Sequence, residues 1–257
     1  MFNDHIATAE EGLYNAINDL NVSNVTDLIL DLRYNSGGYL AIASELAYMI
    51  GGSSIPDLSV FENQVFNDKY QTTNPITGSA LRPTPFFDET LGYDALDPGL
   101  PLPTLNLPRV FVLTGSNTCS ASEAIINGLR GVDIEVIQIG STTCGKPYGF
   151  YPQDNCGTTY FTVQFQTANA DGFGEYPDGF SPENAGGFGV KIPGCLVEDD
   201  FNHQLGDPDE ARFEAALNYR TYESCPDPGV VAFGTISKKS DGVVYKPMGL
   251  QNRIMGR

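Results

Sequence analysis

The chain has 257 residues, 41% of them hydrophobic, which is enough to bury a sizeable core as one α/β domain. The formal net charge of −18, with only 14 lysines and arginines, argues against nucleic acid and against anionic membrane surfaces as partners. No apolar run reaches the roughly 20 residues of a membrane-spanning helix, so we expect no membrane span.

The first residues run almost at once into an amphipathic helix, predicted over residues 6–20, with Ile6, Leu13 and Ile17 on one face. No charged and then apolar leader precedes this helix. We therefore expect the sequence to be a piece of a longer parent protein. We also expect this piece to have weak activity on peptides, which restoring the upstream residues would raise.

A short apolar run over residues 27–32 predicts a central parallel strand. The turn after it contains Gly37 and Gly38, whose freedom to adopt positive φ allows a close approach of the backbone. On its local pattern alone, this turn is equally well explained as a plain connection from the strand to a helix predicted over residues 40–50.

The pattern loosens between residues 53 and 108. One strand is predicted over residues 60–66, but the remainder is rich in proline and has few periodic apolar residues. Such a composition favours an irregular surface excursion over residues 53–108. We expect Phe86, Phe87 and Tyr93 to anchor it to the core.

The segment 111–146 combines a buried strand over residues 111–113, a turn of small residues, a helix and a second strand over residues 132–139. The helix opens at Ser120. The loop after the second strand returns Lys146 to the same end of the sheet, so the pattern predicts that these two residues lie near each other.

Ser120 has two interpretations. A helix N-terminus offers unpaired N–H groups and the positive end of the helix dipole, and both would stabilise an oxyanion forming beside the serine. However, Ser120 and Glu123 also have the spacing of a capping box, in which the serine is only the N-cap residue. Lys146 alone is equally typical of a solvated loop.

Beyond the lysine, residues 148–152 and 157–165 predict a β-hairpin. Residues 173–189 are rich in glycine, aromatic and acidic residues but lack the spacing of a calcium-binding EF-hand, so we expect no metal. An Asp-Pro-Asp-Glu start predicts a helix over residues 207–219. Residues 221–257 are predicted to be a C-terminal tail of uncertain order.

Three motifs together resemble the catalytic core of the C-terminal processing (tail-specific) serine peptidases, the S41 family. They are Asp31-Leu-Arg-Tyr-Asn-Ser-Gly-Gly38, Ser120-Ala-Ser-Glu123 and Thr142-Thr-Cys-Gly-Lys146. The resemblance implies an α/β fold with a spiral core of the ClpP/crotonase type over residues 1–220. The sequence departs from the family in one respect, since we see in it no PDZ-like module of the kind that processing proteases usually carry ahead of this core.

The resemblance implies a role for each motif. Ser120 is the expected nucleophile and Lys146 its general base. The backbone N–H groups of Ala121 and of Gly37 or Gly38 are the expected oxyanion hole. The implied activity is hydrolysis of a peptide or protein substrate through an acyl-enzyme, with no cofactor.

To accept a proton the lysine must be neutral, whereas a free lysine has a pKa near 10.4. We expect burial beside Tyr148, Phe150 and Tyr160, with no adjacent carboxylate, to lower the pKa of Lys146. Phe150 replaces a glutamine that orients the lysine in many relatives. This departure and the missing PDZ-like module keep a second hypothesis open, namely a noncatalytic peptide- or ligand-binding module on the same fold.

Other polar residues have structural explanations. Arg33 is expected to make a buried ion pair with Asp31 or another carboxylate. The two histidines, His5 and His203, belong to no motif. A Ser-His-Asp triad through either one is the alternative enzyme mechanism, because such triads are recognised by geometry and not by their order in the chain.

The five cysteines include no C-x-x-C pair, so we expect no zinc site. Cys144 and Cys156 flank the start of the predicted hairpin, and Cys195 and Cys225 flank the last predicted helix. Each of the two pairs can approach to the distance that a disulfide needs. If both disulfides form, Cys119 is left as the free cysteine. Disulfides predict a periplasmic or extracellular location, after export from a bacterium.

Overall fold

A computed structural model of the chain describes residues 1–226 and, beyond them, the two strand residues 254–255. The four α-helices of the described residues are α1 (Glu10–Val22), α2 (Leu40–Gly51), α3 (Ala121–Arg130) and α4 (Ala211–Tyr222). The strands are β1 (Ile29–Asp31), β2 (Gly38–Tyr39), β3 (Val60–Val65), β4 (Thr84–Pro85), β5 (Arg109–Thr114), β6 (Glu135–Gly140), β7 (Tyr148–Gly149), β8 (Gln153–Asn155), β9 (Thr158–Tyr160), β10 (Phe165–Ala168), β11 (Phe180–Pro182), β12 (Val190–Ile192), β13 (Gly194–Leu196) and β14 (Ile254–Met255). Most of the predicted tail, residues 221–257, lies outside the described residues.

The centre of the fold is a four-stranded parallel sheet in the order β1-β5-β6-β13. Leu113 of β5 pairs with Asp31 on one side and with Ile139 on the other, so the three strands end level with one another. The loops that leave these three ends carry the three sequence motifs. Ligands of parallel sheets bind at the carboxyl ends of the strands, and this edge is therefore the expected place for a site.

Alternation along β5 explains why both faces of this sheet are covered. Val110 and Val112 pack into a large core shared with α1, α2 and α3, while Phe111 and Leu113 pack into a smaller core that includes α4. A strand buried on both faces reads as a continuous apolar run, which is how the sequence identifies it. The α/β class predicted from the sequence is confirmed.

A second sheet, in the order β4-β3-β10-β7, is antiparallel and incorporates part of the excursion over residues 53–108. The predicted strand over residues 60–66 is confirmed as β3. Phe86 is buried and packs edge to face on Phe61, with ring centroids 5.3 Å apart, as expected for an anchor.

The predicted hairpin after the lysine is wrong in its pairing. β7 pairs with β10, and a separate two-stranded hairpin, β8 with β9, interrupts them. The turn of that small hairpin places Cys156 and Gly157 at φ of 49° and 76°, as a type I′ turn requires. This turn pairs β9 with β8 instead of with β7, and the residues predicted as one strand over 157–165 divide between β9 and the start of β10.

The last helix begins later than its sequence suggests. Asp207 was the expected N-cap, but the side chain of Glu210 accepts the N–H of Phe213 at 3.0 Å and caps the helix instead. The Asp207 carboxylate accepts the N–H of Asp209 at 3.0 Å, which builds a turn ahead of the helix. Among the described residues, no helix has the length and apolarity to cross a membrane.

Candidate active site

Ser120 lies in the turn between β5 and α3, with a backbone φ of 60° and ψ of −116°. Positive φ is costly for a residue with a Cβ and persists only where the surrounding structure enforces it, often at functional sites. The side chain is fully buried, and its Oγ has no hydrogen-bond partner in the part of the chain that the structure describes. Ser120 and Glu123 thus occupy the positions of a capping box, but the Ser120 hydroxyl makes no cap hydrogen bond to α3.

The loop before β2 packs directly on this turn. A Cβ added to Gly37, whose φ is +96°, would lie 2.7 Å from the Cβ of Ser120 and 2.9 Å from the amide nitrogen of Ala121. Only glycine allows this approach, which brings the loop beside both residues. The N–H of Gly37 donates to Oδ1 of Asn35 at 2.9 Å. That bond favours Gly38 over Gly37 as the loop's candidate oxyanion donor.

Asn35 and His5 hold the loop in place. The backbone carbonyl of Asn35 accepts the N–H of Cys119 and the hydroxyl of Ser122, both at 3.1 Å. Oδ1 of Asn35 lies 3.0 Å from Nδ1 of His5, and burial lowers the pKa of His5 to about 4. The imidazole is therefore neutral, with Nδ1–H as donor because an amide oxygen only accepts. The sequence indicated His5 only as an alternative triad member, and Asn35 only as one residue of the first motif without a role of its own.

Glu123 connects the serine to the lysine. Oε2 of its buried carboxylate accepts the N–H of Ser120 at 2.9 Å and the N–H of Lys146 at 2.8 Å. Oε1 accepts the N–H of Gly145 at 2.8 Å and the hydroxyl of Thr143 at 2.6 Å. Burial raises the pKa of Glu123, and these hydrogen bonds oppose that rise. The sequence identifies Glu123 only as a capping residue, whereas one carboxylate orders both motifs.

Burial lowers the pKa of Lys146 to about 8, in the expected direction. Its Nζ lies 5.2 Å from the ring centroid of Phe150, which is itself buried. Two expectations are wrong. Tyr148 and Tyr160 are exposed by 36% and 52%, and a carboxylate is nearby, because the charge of Glu123 acts to raise the pKa of the lysine.

The disulfides agree with the sequence analysis for one pair only. Cys195 and Cys225 are joined as predicted. Cys119 bonds to Cys144, so the predicted Cys144–Cys156 pair is wrong and Cys156 is the free and exposed cysteine. The reason is spatial, since the strand end before α3 and the loop after β6 lie at the same sheet edge, with Cα atoms of Cys119 and Cys144 5.3 Å apart. The crosslink thereby ties the turn that contains Ser120 to the loop that contains Lys146.

The Arg33 side chain is structural, as expected. It pairs with Asp31 at 3.0 Å, with Glu210 at 2.9 Å and with Asp199 at 3.0 Å, and its guanidinium is buried. A buried cation with three carboxylate partners is held rigidly and is poorly placed to reach a substrate. Arg33 instead joins the end of β1 to the start of α4.

Neither histidine forms a triad with Ser120 among the described residues. Neither histidine hydrogen-bonds to the Ser120 hydroxyl within residues 1–226. His203 is exposed and pairs with Asp200 at 2.6 Å, and that hydrogen bond raises the pKa of His203. No group of three or more candidate metal ligands gathers among the described residues.

Comparisons with known proteins match this chain to one protein family. A family model described as peptidase family S41 matches residues 2–154. The fold resembles a crystal structure from Bacteroides fragilis NCTC 9343 assigned to the S41 proteases, with 23% identity and a TM-score of 0.68, covering 87% of this chain and 54% of that one. A photosystem II D1 C-terminal processing protease is similar with 18% identity and a TM-score of 0.48, covering 74% of this chain and 41% of that one. A comparison with curated proteins finds no match. The chain spans about half the length of the Bacteroides protein.

Proposed function

The chain belongs to peptidase family S41, and from this premise we propose that it is a serine endopeptidase that works through an acyl-enzyme. One observation carries the proposal. The hydroxyl of Ser120 is buried without a hydrogen-bond partner, in a strained turn that Glu123 ties to the segment of a lysine with a lowered pKa. A structural serine would use its hydroxyl, and a structural lysine would keep its charge in water.

In the proposed reaction, neutral Lys146 takes the hydroxyl proton of Ser120 as Oγ attacks the carbonyl carbon of the scissile bond. The resulting oxyanion accepts hydrogen bonds from the N–H groups of Ala121 and Gly38, a contribution of about 3 to 4 kcal/mol for one such donor. Collapse of the intermediate breaks the C–N bond, and Lys146 gives its proton to the leaving amine. Water then hydrolyses the ester, with Lys146 again as the base.

The proposed substrate is a peptide or a protein segment. A net charge of −18 disfavours strongly acidic substrates and leaves neutral or basic ones as the better candidates. Two disulfides support the further proposal that the protein acts in an oxidising compartment, the periplasm or the extracellular space of a bacterium.

The test is covalent labelling of the nucleophile. A fluorophosphonate probe should form one adduct, at Ser120, which peptide mass mapping identifies. Ser120→Ala should abolish both the adduct and peptide hydrolysis, whereas Ser116→Ala, which changes an exposed serine of the same turn, should keep both. Absence of an adduct and of turnover in the folded protein would instead favour the noncatalytic peptide-binding module.

A further inference from the structure

The short strand β2 has two edges, and its backbone hydrogen bonds identify them. The N–H of His5 donates to the carbonyl of Gly37 at 3.2 Å, and the N–H of Tyr39 donates to the carbonyl of His5 at 2.7 Å. Backbone groups of successive strand residues point alternately to the two edges. The N–H and carbonyl of Gly38 itself therefore point to the opposite edge.

That opposite edge is occupied by β14 of the same chain. Ile254 pairs with Gly38 and Met255 with Tyr39, in parallel orientation. β14 also lies beside β7, which begins two residues after Lys146. The segment thus lies between the loop that packs on Ser120 and the strand that follows the lysine.

We propose that this edge of β2 is the peptide-binding edge of the active site. It would take an extended polypeptide that runs parallel to β2, and residues 254–255 occupy it in place of a substrate. Recognition by strand addition uses backbone hydrogen bonds, so the ligand class is an unfolded or extended segment of varied sequence. The inference rests on the proposed function at one point, the assignment of Gly38 as an oxyanion donor facing the bound chain.

A tethered occupant has a large effect on a free ligand. A segment joined to its own site competes at an effective concentration on the order of millimolar. The apparent affinity of a free peptide falls in proportion to the fraction of sites that the tethered segment leaves open. If the segment fills about nine sites in ten, its release raises peptide affinity about tenfold.

The geometry supplies a disrupting variant and a matched control. In a parallel pairing, the carbonyl of Gly38 accepts from the residue that follows Ile254, so the N–H of Met255 points toward β2 and that of Ile254 points away. Met255→Pro removes the paired N–H. Ile254→Pro makes the same substitution at the neighbouring residue without removing a hydrogen bond to β2.

The first measurement is independent of catalysis. In a Ser120→Ala background, fluorescence anisotropy would follow binding of a labelled peptide with the sequence of residues 251–257, Gln-Asn-Arg-Ile-Met-Gly-Arg. We expect Met255→Pro to bind it about tenfold more tightly than the protein with the unsubstituted tail does, and Ile254→Pro to match the protein with the unsubstituted tail. Equal affinity for all three folded proteins would overturn the inference.

A second measurement leaves the tail unchanged. In Ser120→Ala protein, the amide of Met255 should be protected from hydrogen exchange, and an excess of the free peptide should remove that protection. Exchange at the rate of an unstructured peptide would reject the inference even if Met255→Pro failed to fold. Peptide binding without fluorophosphonate labelling of Ser120 would reject the proposed hydrolysis but keep the binding edge, and labelling without peptide binding would do the reverse.

Discussion

The charge of one side chain, Lys146, decides whether the proposed chemistry can proceed near neutral pH. With its pKa lowered to about 8 by burial, about one lysine in ten is neutral at pH 7, against about one in 2,500 for a free lysine. The fold therefore increases the neutral fraction by roughly two hundredfold. The nearby charge of Glu123 limits this gain, because a carboxylate favours the ammonium form.

The first prediction concerns that titration. We expect kcat/KM for a fluorogenic peptide to rise with pH as a single group titrating near 8, because the protonated lysine cannot accept the serine proton. Lys146→Ala and Lys146→Arg should both be inactive while keeping the Tm of the parent within a few degrees. Arginine keeps the charge and cannot release its proton, so it separates the base role from a purely electrostatic one.

The matched control is Lys191→Arg, which changes an exposed lysine and should leave the pH profile unaltered. Substantial hydrolysis by Lys146→Arg would place the base elsewhere. The neutral imidazole of His5, which lies beside the Gly37–Gly38 loop, would then be the next residue to substitute.

At this scale the sequence could suggest candidate residues for the chemistry but not the contacts between them. Ser120 and Lys146 are candidates because each sits in a short motif. The link through Glu123 joins residues about 20 positions apart, and the support of Asn35 by His5 joins residues 30 apart. Such contacts depend on how strands are ordered in the sheet, which no local spacing encodes.

Among the larger elements, the excursion over residues 53–108 is attached through a buried carboxylate at the start of α1. Glu10 accepts the N–H groups of Leu91 at 2.6 Å, Gly92 at 3.0 Å and Tyr93 at 2.6 Å. Consecutive N–H groups that converge in this way form an anion-binding nest. The ring of Tyr93 then packs on that of Tyr39, with centroids 5.7 Å apart, beside the Gly37–Gly38 loop.

A second carboxyl group completes this attachment. Glu45 of α2 accepts the N–H of Leu91 at 3.1 Å, and burial and the proximity of Glu10 raise the pKa of Glu45 to about 8. A raised pKa means that the folded state favours the protonated form of Glu45. Its contribution to stability is therefore complete below about pH 4.5 and is lost as the pH rises through about 8.

The second prediction tests whether Glu45 is protonated beside Glu10 in the folded protein. Glu45→Gln keeps a neutral side chain that can donate to Glu10 and still accept from Leu91. We expect its Tm to exceed that of the parent by about 5 °C at pH 9 and to match it near pH 5. Glu89→Gln, which changes an exposed carboxylate of the same excursion, should show no such pH-dependent difference. A Glu45→Gln variant that is less stable at both pH values would contradict the shared proton.

The excursion was the least predictable element. Its sequence lacks the apolar period that identifies α2 or β5, and prolines interrupt any regular pattern. Phe86 as an anchor could be predicted, because a large apolar side chain must find a core. The attachment through Glu10 could not, since a glutamate at a helix start is ordinarily explained by the helix dipole.

For the whole molecule, the fold class follows from the sequence because three apolar strands alternate with helical patterns, as parallel α/β sheets require. The disulfide pattern does not follow as readily. Cysteine spacing allowed the Cys195–Cys225 bond but misassigned Cys144, whose partner is set by the adjacency of β5 and β6. Sheet order is a property of the whole fold and not of any one hairpin.

The two crosslinks provide a comparison of stability with activity. Cys119–Cys144 spans 25 residues and Cys195–Cys225 spans 30 residues, so loop-closure entropy predicts a nearly equal stabilisation, about 3.5 kcal/mol each. Their positions differ. The first joins the residue before Ser120 to the loop that ends in Lys146, whereas the second joins β13 to the chain after α4.

The last prediction uses that difference. Cys119→Ala/Cys144→Ala and Cys195→Ala/Cys225→Ala should each lower Tm by about 10 °C. Well below both transitions, only the first variant should lose kcat/KM, by about tenfold or more, because a small displacement between the proposed nucleophile and its proposed base is costly. Equal losses of activity in the two variants would show that the crosslink near Ser120 acts only through global stability. Thiol counting on the denatured, unreduced parent protein should find one reactive thiol, which Cys156→Ser removes. Five free thiols would remove the support for an exported protein.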